Sequence, residues 1–116
     1  MALRPFDLTQ SQFMLLAGLV EMKLTGRLAT QIELATHSMV DVVSTSTLLK
    51  GLEERGLVTR DQRNRDKRMR YLTITPEGEK LVRDALKAVR QFDRQFFEDI
   101  AKPQLNAFLK VCQQLN

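Results

Sequence analysis

Residues 41–76 read DVVSTSTLLKGLEERGLVTRDQRNRDKRMRYLTITP, and the fold turns on how this stretch divides. Asp41 suits the N-cap of a helix, because its carboxylate accepts the orphan N–H groups of the first turn and complements the helix dipole. The helix is expected to run to about Arg55 and to stop at Gly56, where a residue free to take positive φ is wanted. At about 100° per residue, Thr45, Leu48, Leu49 and Leu52 share one face, a core stripe. The opposite face carries Val43, Thr47, Lys50 and Glu54, with Ser44 and Ser46 beside it. Near its N-terminus the outward face is therefore small and free of negative charge. The hydroxyls suit base edges or phosphates, and the valines suit thymine methyls. Glu53 and Glu54 lie at the far end. Leu57–Arg60 and Met69–Ile74 read as two strands, the second alternating Leu72 and Ile74 against Tyr71 and Thr73. The polar loop Asp61–Lys67 joins them into a hairpin with a basic tip.

Upstream, Leu8 to Glu21 reads as a helix capped by Thr9, with Gln12 completing a capping box. Phe13, Leu16, Ala17 and Val20 form its apolar stripe. Residues 22–29 are a connector containing Gly26. A short helix from Thr30 to His37 follows, capped by Thr30 with Glu33 at the capping-box position, and Ile32, Leu34 and Ala35 supply its apolar contacts. Ser38–Val40 is the tight turn before Asp41. Downstream, Thr75 caps and Pro76 opens a long helix. It is expected to reach about Asp99, a length of ~36 Å at 1.5 Å per residue. Val82, Ala85, Leu86, Val89, Phe92, Phe96 and Ile100 recur on it at helical spacing. After Pro103 a last helix groups Leu105, Phe108, Leu109, Cys112 and Leu115.

The order helix, short helix, turn, helix, basic hairpin is that of a winged helix-turn-helix. The fold class is mainly α with a small β-hairpin wing (α+β), with long C-terminal helices for dimerisation. Residues 8–75 form the DNA-binding region and 76–116 the helical dimerisation region, in one compact domain, a size that suits 116 residues. A ~36 Å helix is longer than a domain with a radius of gyration near 13 Å buries easily. Val89, Phe92, Phe96, Phe97, Ile100, Phe108 and Leu109 are accordingly expected to meet a second copy of the chain.

Charge placement points the same way. Residues 60–70 hold six basic and two acidic residues, which accounts for the whole net charge of +4; the remaining basic and acidic residues, 12 of each, cancel. Such a cluster attracts polyanions. On a solitary Ser/Thr-rich helix a plain solvated face is the better reading. A basic hairpin at the distance a wing requires reverses that preference in favour of DNA.

Five segments then make the chain resemble the MarR (multiple antibiotic resistance regulator) family in order and spacing. They are Leu8-Thr9, Glu33-Leu34-Ala35, the run Leu52 to Val58, Asp66-Lys67-Arg68, and Ile74-Thr75-Pro76-Glu77-Gly78. The resemblance covers about residues 8–85 well, and the wing followed by the Thr-Pro-x-Gly helix start is its most specific part. It implies a homodimeric transcriptional regulator, usually a repressor, on a pseudo-palindromic operator. The recognition helices would lie in major grooves and the wing tips in flanking minor grooves. It also implies release by a small-molecule effector. Arg68 matches the wing arginine that reaches the minor groove, where a narrow A·T-rich groove concentrates negative potential. Asp66 matches its acidic companion, which orients the guanidinium, and a structural ion pair of the two within the wing is the competing reading. Arg63, Arg65 and Arg70 are expected to accompany them on the DNA. Only seven residues precede Leu8, where the family pattern has a full helix, so residues 1–7 are expected to be its remnant.

The remaining candidates favour bland roles. His37, without a second ligand or base, reads as a polar turn residue. Cys112 reads as buried and inert, and Met14, Met22, Met39 and Met69 as core or gap-filling residues. One cysteine makes no internal disulfide, and with one histidine it is a poor stock of metal ligands. No nucleophile–base set, Gly-rich phosphate loop or paired-carboxylate motif appears, so neither enzymatic activity nor a cofactor is expected. No apolar run reaches the roughly 20 residues of a membrane span, and residues 1–10 have no signal-peptide core, which points to the cytoplasm. The alternative function is a winged-helix protein-interaction module without DNA readout. A docking wing, however, needs no charge of this size.

Overall fold

Thr9 starts the first helix of the computed structural model, which describes residues 3–61, 71–92, 94 and 95. Its Oγ1 accepts from the Gln12 N–H at 3.1 Å, and Gln12 Oε1 accepts from the Thr9 N–H at 3.0 Å, the capping box expected. The helix, α1 (Gln10–Leu24), outlasts its expected end at Glu21. The Thr25 hydroxyl donates to the Glu21 and Met22 carbonyls, each at 3.1 Å, and so closes a further turn. Nor is its burial a single stripe. Leu15, Leu19 and Met22 are buried beside Phe13, Leu16, Ala17 and Val20, because α1 is the central helix against which the others pack.

Thr30 caps α2 (Gln31–Ser38), accepting from the Glu33 N–H at 3.2 Å and donating to Glu33 Oε1 at 3.0 Å. Leu34 and Ala35 are buried, but Ile32, expected among the apolar contacts, is 67% exposed. Ser38 is the buried last residue of α2 rather than part of the turn, and Met39 takes the left-handed conformation at φ 58°. Met39 is also 92% exposed, which corrects its expected gap-filling role. Asp41 then caps α3 (Val42–Glu54): its Oδ2 accepts from the Ser44 N–H at 3.0 Å and from Ser44 Oγ at 3.1 Å. Gly56, at φ 73°, leads the chain away after α3, the left-handed exit the sequence suggested.

Strands β1 (Val58–Asp61) and β2 (Tyr71–Ile74) pair antiparallel, Val58 opposite Ile74 and Asp61 opposite Tyr71. β1 begins one residue later than the expected Leu57 and reaches Asp61, and residues 69–70 of the second expected strand lie outside the described residues. Leu72 and Ile74 face the core and Tyr71 and Thr73 are half-buried, as the alternation implied. The Leu72 N–H donates to the Ala29 carbonyl at 2.7 Å, so the connector before α2 adds a short third rung.

At Thr75 the hydroxyl accepts from the Gly78 N–H at 3.0 Å and donates to the Gly56 carbonyl at 2.7 Å, locking the start of α4 (Pro76–Phe92) onto the end of α3. A Cβ on Gly78 would lie 2.4 Å from the Leu57 carbonyl oxygen, so only glycine allows this crossing. Val82, Ala85, Leu86 and Val89 are fully buried and join one core with α1, α3 and the hairpin. Leu3 belongs to that core too. The segment expected as a helix remnant is a 3-10 turn, Arg4–Phe6, pinned by Arg55, whose guanidinium donates to the Asp7 and Phe6 carbonyls at 2.8 and 3.1 Å.

Candidate nucleic-acid interface

The two faces of α3 separate as its spacing implied. Thr45, Leu49 and Leu52 are fully buried and Leu48 is half-buried, and the Thr45 hydroxyl is satisfied by the Asp41 carbonyl at 2.7 Å. Val43 is 80% exposed, and Ser44, Ser46, Thr47 and Lys50 are exposed around it. The capping bond refines Ser44: its hydroxyl hydrogen is committed to Asp41, which leaves its oxygen lone pairs to accept. Ser46, Thr47 and Lys50 have no such commitment among the described contacts. Val42 at 44% and Ile32 at 67% exposure add apolar surface on α3 and α2.

The charge that faces outward is smaller than the sequence count. Arg60, at the root of the hairpin, turns inward: its Nε donates to Glu53 Oε1 at 2.9 Å and its Nη2 to Gln31 Oε1 at 3.4 Å. Nothing in the linear order marks this three-way contact, since its members lie on β1, α3 and α2. Arg63, Arg65, Asp66, Arg68 and Arg70 lie outside the described residues, as do Phe96, Phe97, Ile100, Phe108, Leu109 and Cys112. Phe92 closes α4. Val89, expected at a dimer interface, is fully buried within the chain's own core, which leaves no surface for a partner to cover.

His37 lies in the last turn of α2, at the helix end where the sequence put it, but it has a partner: its Nε2 is 2.5 Å from Glu21 Oε2, a carboxylate that is itself buried. The pair ties α2 to α1. Lys23 and Glu79 form another bridge, between α1 and α4. Among the described residues no group of three or more His, Cys, Asp or Glu is placed to hold a metal, and no described helix is long and apolar enough to cross a membrane. The chemistry on offer is recognition: hydroxyls, a methyl-bearing side chain and a cation on one helix face.

The MarR family model matches residues 8–69. The HTH-type transcriptional regulator YdcH of Bacillus subtilis is 35% identical over 114 residues, covering 98% of this chain and 76% of that protein. Among solved structures, the MepR–DNA complex of Staphylococcus aureus superposes with a TM-score of 0.67 at 26% identity, over 97% of this chain and 79% of MepR. Apo MarR of Escherichia coli shares the fold at a TM-score of 0.68 and 24% identity, over 97% of this chain and 81% of its own.

Proposed function

The chain belongs to the MarR family, and we propose that it is a homodimeric repressor that reads a pseudo-palindromic operator in double-stranded DNA. It is a DNA-binding transcriptional regulator and not an enzyme. The observation that carries the reading is the outward face of α3, uncharged and hydroxyl-rich from Val43 to Thr47, with Lys50 one turn on. A major groove accepts such a face without repulsion. MepR, which shares the fold, was solved on DNA, and this supports the same partner here.

Each residue then has a role. Val43 packs on a thymine methyl, Ser46 and Thr47 bond base edges or phosphates, Ser44 accepts, and Lys50 meets a phosphate. Arg63, Arg65 and Arg70 steady the wing on the backbone, while Arg68, oriented by Asp66, enters the minor groove. Residues 8–75 do the reading. Within 76–116, Phe92, Phe96, Phe97, Ile100, Phe108 and Leu109 join two copies so that the α3 helices reach successive half-sites. Release by a small-molecule effector belongs to the same proposal and rests on the family resemblance alone. The cytoplasm, where the DNA lies, is the proposed place of work.

The test is Arg68→Ala against a duplex that the wild-type protein enriches from a randomised pool. The expected result is weaker binding with a flattened preference for A·T flanks. Unchanged affinity and unchanged flank preference would remove Arg68 from the reading role.

A further inference from the structure

Arg60 belongs to the basic stretch that suggested a polyanion partner, yet its guanidinium is turned into the protein. Nε reaches Glu53 on α3 at 2.9 Å and Nη2 reaches Gln31, the first residue of α2, at 3.4 Å. The Arg60 and Glu53 side chains are 27% and 26% exposed. A planar guanidinium holds two partners at a fixed angle, which an ammonium cannot do. The geometry points to Arg60 as a positioning residue: through Glu53 and Gln31 it fixes the wing against the recognition helix and does not itself bind phosphate. This rests on the DNA-reading function proposed above.

The reason lies in what a two-groove reader needs. The α3 helix and the hairpin must enter neighbouring grooves together, so the angle between them decides whether both seat. Arg60 sits where β1 leaves the core, and its two bonds cross to both helices of the helix-turn-helix. The same contact explains an acidic residue on the reading helix. Glu53 is neutralised by Arg60 instead of repelling the DNA.

The experiment measures Glu53→Ala, Arg60→Lys and Gln31→Ala by fluorescence anisotropy across a salt series, on the pool-enriched duplex and on a copy with its A·T flanks replaced by G·C. Thermal unfolding verifies that each variant is folded, and Gln31→Ala, which leaves the ion pair intact, serves if the others are not. Positioning predicts that Glu53→Ala weakens binding about fivefold although it removes a negative charge. Arg60→Lys weakens binding similarly although it keeps the positive charge, and Gln31→Ala does so to a smaller extent. All three keep the wild-type salt slope, because Arg63, Arg65 and Arg70 still reach the backbone, and the penalty for G·C flanks shrinks because the misangled wing no longer brings Arg68 into the minor groove. Global destabilisation alone would leave that flank penalty unchanged.

Tighter binding by Glu53→Ala, or wild-type affinity and flank penalty in Arg60→Lys, overturns the inference. So does a salt slope lowered by about one in a fourth variant, Arg60→Met, measured on the same duplexes, the mark of a lost phosphate contact. In each of those cases the wild type still reads DNA, and only the role of Arg60 falls. A wild type that enriches no duplex overturns this inference and the DNA-reading function together.

Discussion

Gly78 stands where α4 crosses the end of the recognition unit, with the Leu57 carbonyl oxygen 2.4 Å from the position a Cβ would take. Backbone cannot yield as a flexible side chain can. Gly78→Ala is therefore expected to destabilise the fold by about 1–3 kcal/mol, read by urea denaturation. Lys50 is a different case, since its exposed ammonium stabilises nothing described in the chain. Lys50→Gln is expected to leave the denaturation midpoint unchanged and to lower the magnitude of the log–log salt slope of operator binding by about 0.9. At this scale the sequence was legible where a residue's role is local. Val43, Ser46 and Thr47 lie on the exposed side of α3 because helical phase alone puts them there. It was illegible where the role depends on a distant neighbour. His37 meets Glu21 and Arg60 meets Glu53 and Gln31 only after the helices have packed, and Ile32 is exposed because α2 buries little beyond Leu34, Ala35 and Ser38.

Helix starts were read well because caps are local chemistry. Thr9, Thr30, Asp41 and Thr75 each accept from a backbone N–H three residues on. Asp41 matters most for function, since it organises the first turn of α3. Asp41→Ala is expected to cost about 1 kcal/mol in chemical denaturation and to weaken operator binding as that turn frays. Asp41→Asn, which keeps the acceptor, is expected to restore most of the stability. Helix ends and strand ends were read less well. The extension of α1 to Leu24 is closed by Thr25, whose N–H and hydroxyl both reach the Glu21 carbonyl, and the start of β1 at Val58 follows from its pairing with Ile74. The single stripe read on α1 fell short for a related reason. A central helix contacts neighbours on several sides, and one-face periodicity finds only one of them.

For the whole molecule, the winged helix was legible because its signals come in a fixed order: a capped helix pair, a glycine exit and a two-residue alternation before Thr75-Pro76. The division of α4 was not. All but its last turn, through Val89, belongs to the chain's own core, so the proposed dimer contact moves beyond it to Phe92 and the residues that follow. Replacing Phe96 and Phe97 together by glutamate is expected to convert a dimer to a monomer in sedimentation velocity. It is also expected to abolish cooperative occupation of two half-sites, because the operator's symmetry mirrors the protein's.

The central claim is that α3 and the hairpin read double-stranded DNA. Fluorescence anisotropy at two salt concentrations, on the pool-enriched duplex and on its scrambled counterpart, tests it most directly. Binding to the enriched duplex is expected to be at least about a thousandfold tighter than to the scrambled one and to weaken steeply as salt rises. A folded protein that binds neither duplex at low salt, or binds both without salt dependence, would contradict it and favour a winged helix that docks protein instead.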